Sequence, residues 1–173
     1  MSRQQLDRLI DTKLYSKSVL IFNTVNDVTV RKNVFSKNLR ICYVGSTDKK
    51  RFLRVKDIWK QLRKQKVKNI EFHVIGGDNL YNTSNRNDIP YYCDKEEIFY
   101  HGIVGGAEKI ELMKTMNLGI IFSKRETFGL ASIEFQALGI PVVALKSYGM
   151  IDTIIDKKTG FLVNNKYLSL IHI

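Results

Sequence analysis

The sequence predicts a doubly wound α/β domain built on a parallel sheet. From Leu39 onward, short apolar runs alternate with amphipathic stretches of helical period. Those runs are continuously apolar, as strands covered on both faces are, and lack the in/out alternation of a sheet with one wet face. The composition, 44% hydrophobic and 26% charged with only two prolines, is that of a soluble globular chain. "LRICYVG" reads as a buried strand ending in glycine. "RFLRVKDIWKQLRKQ" reads as a helix with Phe52, Val55, Ile58, Trp59 and Leu62 on one side. "IEFHVIGG" is a second strand and "EIFYHG" a shorter third. "AEKIELMKTM" forms a helix, "NLGIIFS" a strand, "FGLASIEFQAL" a helix and "IPVVAL" a strand. "MIDTIID" is a short helix and "TGFLV" the last strand.

A chain of 173 residues is long enough for one domain with a sizeable core. Residues 1–38 do not join the rhythm. There "VLIFNTVNDVTV" reads as a strand and a turn, too little for a separate domain. No repeat is present, and the one low-complexity stretch is the polar loop from Asn79 to Asp88. Apolar runs such as "GIPVVAL" fall far short of the ~20 residues a bilayer requires. Cys42 and Cys93 lie far apart, so neither a disulfide framework nor a zinc spacing can be read, and a reducing cytoplasm fits. "MSRQQLDRLIDTKLY" is polar, and the "VLIF" after it is too short for a targeting core.

The net charge of +11 implies an anionic partner: nucleic acid, an acidic lipid surface or a phosphorylated small molecule. Charge alone does not choose among them, and a solvated lysine-rich helix face is the plain alternative. No aromatic-studded RNA motif or recognition helix supports nucleic acid. "HGIVGG" and "VIGGD" lack the dinucleotide-binding spacing. His73, His101 and His172 share no metal-ligand spacing. His73 alternates along a strand as a core or surface histidine does, and no metal is expected.

In a sheet of this kind ligands sit beyond the carboxyl ends of the strands. That directs attention to the loops "GSTDKKR", "GGDNLYNTSNRND" and "SKRETFG". The last leads into a helix whose first turn falls near Phe128 and Gly129. Its unpaired amides and positive dipole end suit a phosphate, and Gly129 permits close approach. Glu134 stands five residues inside, about 7–8 Å along the axis, and its side chain leans back toward the helix start. Glu126 precedes the first turn. The two acids can bracket a ligand whose diphosphate rests on the amides, with a sugar at one end and a ribose at the other. The plain alternatives are an exposed helix-edge acid for Glu134, a loop acid for Glu126, and a solvated basic turn for Lys49, Lys50 and Arg51. A buried unpaired carboxylate costs several kcal/mol, so an inward Glu134 requires a partner.

Several blocks carry a family resemblance. "ETFGLASIE" is followed by "ALGIPVVA" and "TGFLV", and preceded by "YVGS", "FHVIGGD", "FYHGIV" and "LGIIFSKRE". Over about residues 39–165 the chain resembles the donor-binding, C-terminal half of retaining GT-B glycosyltransferases of the glycogen-synthase-like group. The resemblance implies a Rossmann-like domain, and a nucleoside diphosphate sugar as substrate with no other cofactor. It places Glu126 at the hydroxyls of the transferred sugar and makes Glu126 and Lys50 the catalytic pair. Thr127, Phe128, Gly129 and Leu130 would hold sugar and diphosphate through their amides, and Glu134 would bind the ribose. Gly45, Ser46 and Arg51 would line the donor site with Lys50. Relatives carry an arginine where this chain has Ser46, and a departing diphosphate needs such cationic donors. A second departure is Asp152, where relatives carry a glutamate.

The same resemblance makes 1–38 the remnant of an acceptor domain and its linker, and 39–165 the nucleotide-sugar-binding domain. The ending "KYLSLIHI", 166–173, reads as a truncated or artefactual tail. The chain is then expected to be a fragment, inactive alone. Its acceptor, a polysaccharide or lipid-linked glycan, would bind a missing N-terminal domain, with peripheral contact at the inner face of the membrane. A different class stays open: a non-catalytic α/β module that binds nucleotide sugars or polyanions.

Overall fold

The computed structural model describes residues 24–25, 29–30, 37–46, 49–66, 68–77, 93, 95, 97–123, 126 and 128–164, without the side chains of 49–53. The expected tail at 166–173, the polar loop 79–88 and most of the "VLIFNTVNDVTV" stretch lie outside the described residues.

The chain runs β1 (Leu39–Val44), α1 (Lys49–Lys64), β2 (Ile70–Ile75), β3 (Phe99–Tyr100), α2 (Gly106–Lys114), β4 (Leu118–Ile121), α3 (Leu130–Ala137), β5 (Val142–Leu145), α4 (Tyr148–Thr153) and β6 (Gly160–Val163). Every element anticipated from Leu39 onward forms. The strands make one six-stranded sheet of order β3-β2-β1-β4-β5-β6. Every pairing is parallel.

Successive strand residues point to opposite faces, and two cores follow from that. On one face Ile41, Tyr43, Phe72 and Val74 meet Val55, Ile58, Trp59 and Leu62 of α1. The rings of Trp59 and Phe72 lie 5.4 Å apart. On the other face Cys42, Ile75 and Val142 meet Met113 of α2, Phe135 of α3 and Met150 of α4. The apolar spacing of each helix is therefore the stripe it turns toward its face of the sheet.

Gly119 in β4 shows how closely α3 is laid down. A Cβ there would stand 2.5–2.8 Å from three ring carbons of the fully buried Phe135. Only a residue without a side chain lets that ring rest on the strand, and the ring fixes the helix that carries Glu134.

Among the described residues, no helix is long and apolar enough to cross a membrane.

Candidate functional site

In this strand order β1 and β4 are neighbours and the chain winds outward from them in both directions, which opens a crevice at their carboxyl ends. The crevice floor is backbone. Gly45 N–H donates to the Ile75 carbonyl at 3.0 Å and Gly76 N–H to the Gly102 carbonyl at 2.7 Å. A side chain at Gly76, which has φ +140°, would collide with the Gly45 carbonyl. The Tyr43 hydroxyl donates to the Ser46 carbonyl at 2.8 Å, so Gly45 and Ser46 are held at the mouth, both half-buried. Lys50 and Arg51 fall in the first turn of α1, just after that mouth. Their side chains lie outside the described residues, as does Thr127.

Helix α3 begins at Leu130, with Gly129 before it in the left-handed region (φ +78°, ψ +58°). A side chain at 129 would strike the Met150 methyl group, with Glu126 Cγ 3.4 Å away. Ser132 N–H donates to the Gly129 carbonyl at 2.9 Å, so the amides of Gly129, Leu130 and Ala131 precede the first hydrogen bond of the helix. Its first turn contains no acidic side chain to occupy them. Phe128 is buried and Leu130 is exposed.

The half-buried Glu126 is anchored by its main chain, where its carbonyl accepts from Gly149 N–H of α4 at 3.0 Å. Just before α4, the buried Ser147 hydroxyl has no partner among the described residues. A polar seam locks α3 to α4. Ser132 Oγ donates to the Gly129 carbonyl at 2.8 Å and lies 3.0 Å from Thr153 Oγ1. Gln136 Nε2 donates to the Ser132 and Thr153 carbonyls at 3.0 and 3.1 Å.

Glu134 faces inward and has its partner. Lys109 Nζ of α2 donates to Glu134 Oε1 at 2.5 Å, with the lysine side chain 22% and the glutamate 18% exposed. The pair stands in a cleft of about 550 Å³ between α2 and α3, walled also by Thr24, Val25, Ile110 and Leu130. That volume is ordinary for a small-molecule site. Of the anticipated residues, Leu130 and Glu134 line this cleft, Glu126 and Gly129 meet at the start of α3, and Gly45 and Ser46 sit at the end of β1.

Sequence reasoning did not single out Lys109. Its available signal was a cationic residue one turn into the helix that follows "HGIVGG". Nor did it join the histidines. His73 Nδ1 lies 3.0 Å from His101 Nε2, and His73 Nε2 lies 3.3 Å from Glu71 Oε2. Glu71 also accepts from Asn38 Nδ2 at 2.7 Å and Arg40 Nε at 2.8 Å. Burial holds both imidazoles below their usual titration range. The Asn38 hydrogen bond leads the causes that lower the Glu71 carboxyl, with Arg40 and His73 adding to it. Parallel pairing sets His73 opposite Phe99, which puts His101 two residues farther along on the same face. No group of three or more metal-ligating side chains occurs among the described residues.

Comparison with known proteins identifies the fold and the family. The capsular polysaccharide biosynthesis glycosyltransferase CapM of Staphylococcus aureus is 29% identical over 135 residues, 75% of this chain and 34% of its own length. The chain thus spans about a third of the length of the curated relatives it matches first. A point mutant of S. aureus TarM, solved with UDP, fondaparinux and α-GlcNAc-glycerol, superposes with a TM-score of 0.74 at 22% identity, over 96% of this chain and 32% of that chain. The C-terminal domain of LpcC, a glycosyl transferase group 1 family protein from Francisella tularensis, superposes with a TM-score of 0.58 at 20% identity, over 74% of this chain and 68% of that one. The fold is therefore that of GT-B glycosyltransferases. Residues 25–169, most of the sequence, match the profile described as "Glycosyl transferases group 1". A match over that much of its length makes the chain a member of the glycosyl transferases group 1 family.

Proposed function

We propose that this domain binds the nucleoside-diphosphate-sugar donor of a glycosyltransferase that acts with retention at the anomeric carbon. The observation that carries the reading is the inward Glu134 in a cleft beside the uncovered amides at the start of α3. Vicinal ribose hydroxyls are paired donors and a carboxylate accepts them. The diphosphate rests on the amides of Gly129 and Leu130, where backbone donors and the helix dipole favour anions. The UDP bound by the relative TarM supports such a ligand.

The remaining roles are those the family resemblance implies. Glu126, tied to α4 and packed against Gly129, lies on the transferred-sugar side of the helix start and contacts its hydroxyls. Thr127 and Phe128 contribute amides. Gly45 and Ser46 leave room at the end of β1, and Lys50 with Arg51, opening α1, neutralises the leaving diphosphate. In the reaction the bond from the anomeric carbon to the diphosphate breaks. A bond to an acceptor hydroxyl forms on the same face, and the hydroxyl proton is released. The acceptor, a polysaccharide or lipid-linked glycan, is held by another domain, and the basic surface suits an anionic membrane nearby.

Titration calorimetry with UDP, GDP, ADP and their sugars tests the reading. The expected result is saturable binding of at least one nucleotide that Glu134→Ala weakens by at least tenfold. Binding to any polyanion, falling steeply with salt and indifferent to Glu134→Ala, would instead support a module driven by the +11 charge.

A further inference from the structure

Glu134 presents a difficulty for a nucleotide site. An acid that grips the ribose stands within a few turns of a diphosphate of the same sign, in a cleft with Val25, Ile110 and Leu130 among its walls. Closing a ligand over a lone carboxylate there would desolvate it and set like charges against each other. The structure contains the remedy, drawn from a different helix. Lys109 Nζ takes Glu134 Oε1, while Oε2 has no partner among the described residues. The other acid lining the cleft, Glu111, is turned to solvent and accepts from Lys114 Nζ at 2.7 Å, so it does not compete for Lys109.

We infer that Lys109 is the positioning residue of the nucleotide subsite: its ammonium fixes the Glu134 carboxylate through one oxygen, leaves the other for a ribose hydroxyl, and cancels the charge that would repel the diphosphate. This rests on the donor-binding reading above. Lys109 acts through Glu134, so its influence requires a charged acid at 134, and its positioning part also requires a ribose on the ligand. It differs from the cations opening α1, which act at the diphosphate. A ligand without a ribose reports only the charge cancellation and not the positioning of the carboxylate.

The test is a double-mutant cycle on the full chain, with UDP and inorganic pyrophosphate as probes and melting temperature as the folding control. Lys109→Met is expected to weaken UDP about tenfold, the scale of one unscreened like charge in a largely buried but solvent-connected site. It should weaken pyrophosphate as well, but by less than UDP, because the repulsion reaches any diphosphate while pyrophosphate has no ribose hydroxyl to lose. Lys109→Arg, which keeps the cation, should retain UDP affinity within about threefold. In a Glu134→Gln background, where no charge needs cancelling, Lys109→Met should cost less than about twofold. Unchanged UDP affinity in Lys109→Met would overturn the inference while leaving the donor site standing. So would a tenfold loss that persists in the Glu134→Gln background, because Lys109 would then touch the ligand directly. Absence of UDP binding in the unmodified chain, with or without binding of pyrophosphate, would overturn this inference together with the UDP form of the function it rests on.

Discussion

Gly119→Ala tests the link between packing and site geometry most sharply. The new methyl would lie 2.5, 2.7 and 2.8 Å from three ring carbons of Phe135. Carbon atoms settle at about 3.5–4.0 Å, so the ring must retreat by roughly 1 Å. Phe135 is fully buried in the cluster that includes Met113, Leu138 and Met150, and a close-packed interior leaves a ring little room to retreat. Overpacking of this kind costs about 1–3 kcal/mol. At about 2–4 °C per kcal/mol for a chain of this size, the melting temperature should fall by roughly 2–12 °C. Because Phe135 and Glu134 are consecutive residues of α3, the displacement should also weaken nucleotide binding. Differential scanning fluorimetry of Gly119→Ala, Phe135→Leu and the double variant provides the assay. The double variant should be more stable than the sum of the single losses, since the smaller side chain makes room for the methyl. A shift below 1 °C for Gly119→Ala, or strict additivity, would refute the claim that this glycine exists to seat the ring.

Acid should weaken the fold before its carboxylates titrate. His73 and His101 titrate lower in the folded protein than the ordinary 6.5, so the unfolded state binds more protons and stability rises with pH. That contribution is complete above about pH 6.5 and is lost as pH falls below it, because burial disfavours the charged imidazoles. Glu71, lowered by its Asn38, Arg40 and His73 partners, adds a further loss below about pH 4.5. Melting curves from pH 8 to 5 should show the decline and His101→Asn should flatten it; a flat profile in the unmodified chain would contradict the reading. The thiols should be silent: burial pushes Cys93 up to about 12 and Cys42 higher still, so a thiolate-selective reagent should label them only as urea unfolds the chain. Labelling of the folded protein at neutral pH would contradict their burial.

Most of the fold was legible because each strand is a short apolar run and each helix an apolar stripe, features that local sequence carries. "LGII" and "VVAL" announce strands covered on both faces, and the structure buries all of their residues. Boundaries shifted where backbone geometry intervened. Helix α3 starts at Leu130 because Gly129 takes a positive φ, and α4 begins at Tyr148, two residues before the apolar "MIDTIID". Within the candidate site, the need of an inward Glu134 for a partner was legible. The partner's identity was not, because Lys109 is 25 residues away and meets Glu134 only after α2 and α3 lie side by side on one sheet face. The His73–His101 contact and the Ser132–Thr153 seam are likewise products of parallel register and helix packing across 28 and 21 residues. No local spacing encodes them.

The central claim is that a nucleotide lies across the start of α3 with its ribose at Glu134. Amide-resolved NMR titration of the isotopically labelled chain with UDP tests it directly. Saturable shifts should concentrate at residues 129–134 and 106–110, the two walls of the cleft, and vanish in Glu134→Ala. Shifts centred instead on the β2–β3 edge around His73, or an identical pattern in Glu134→Ala, would contradict it.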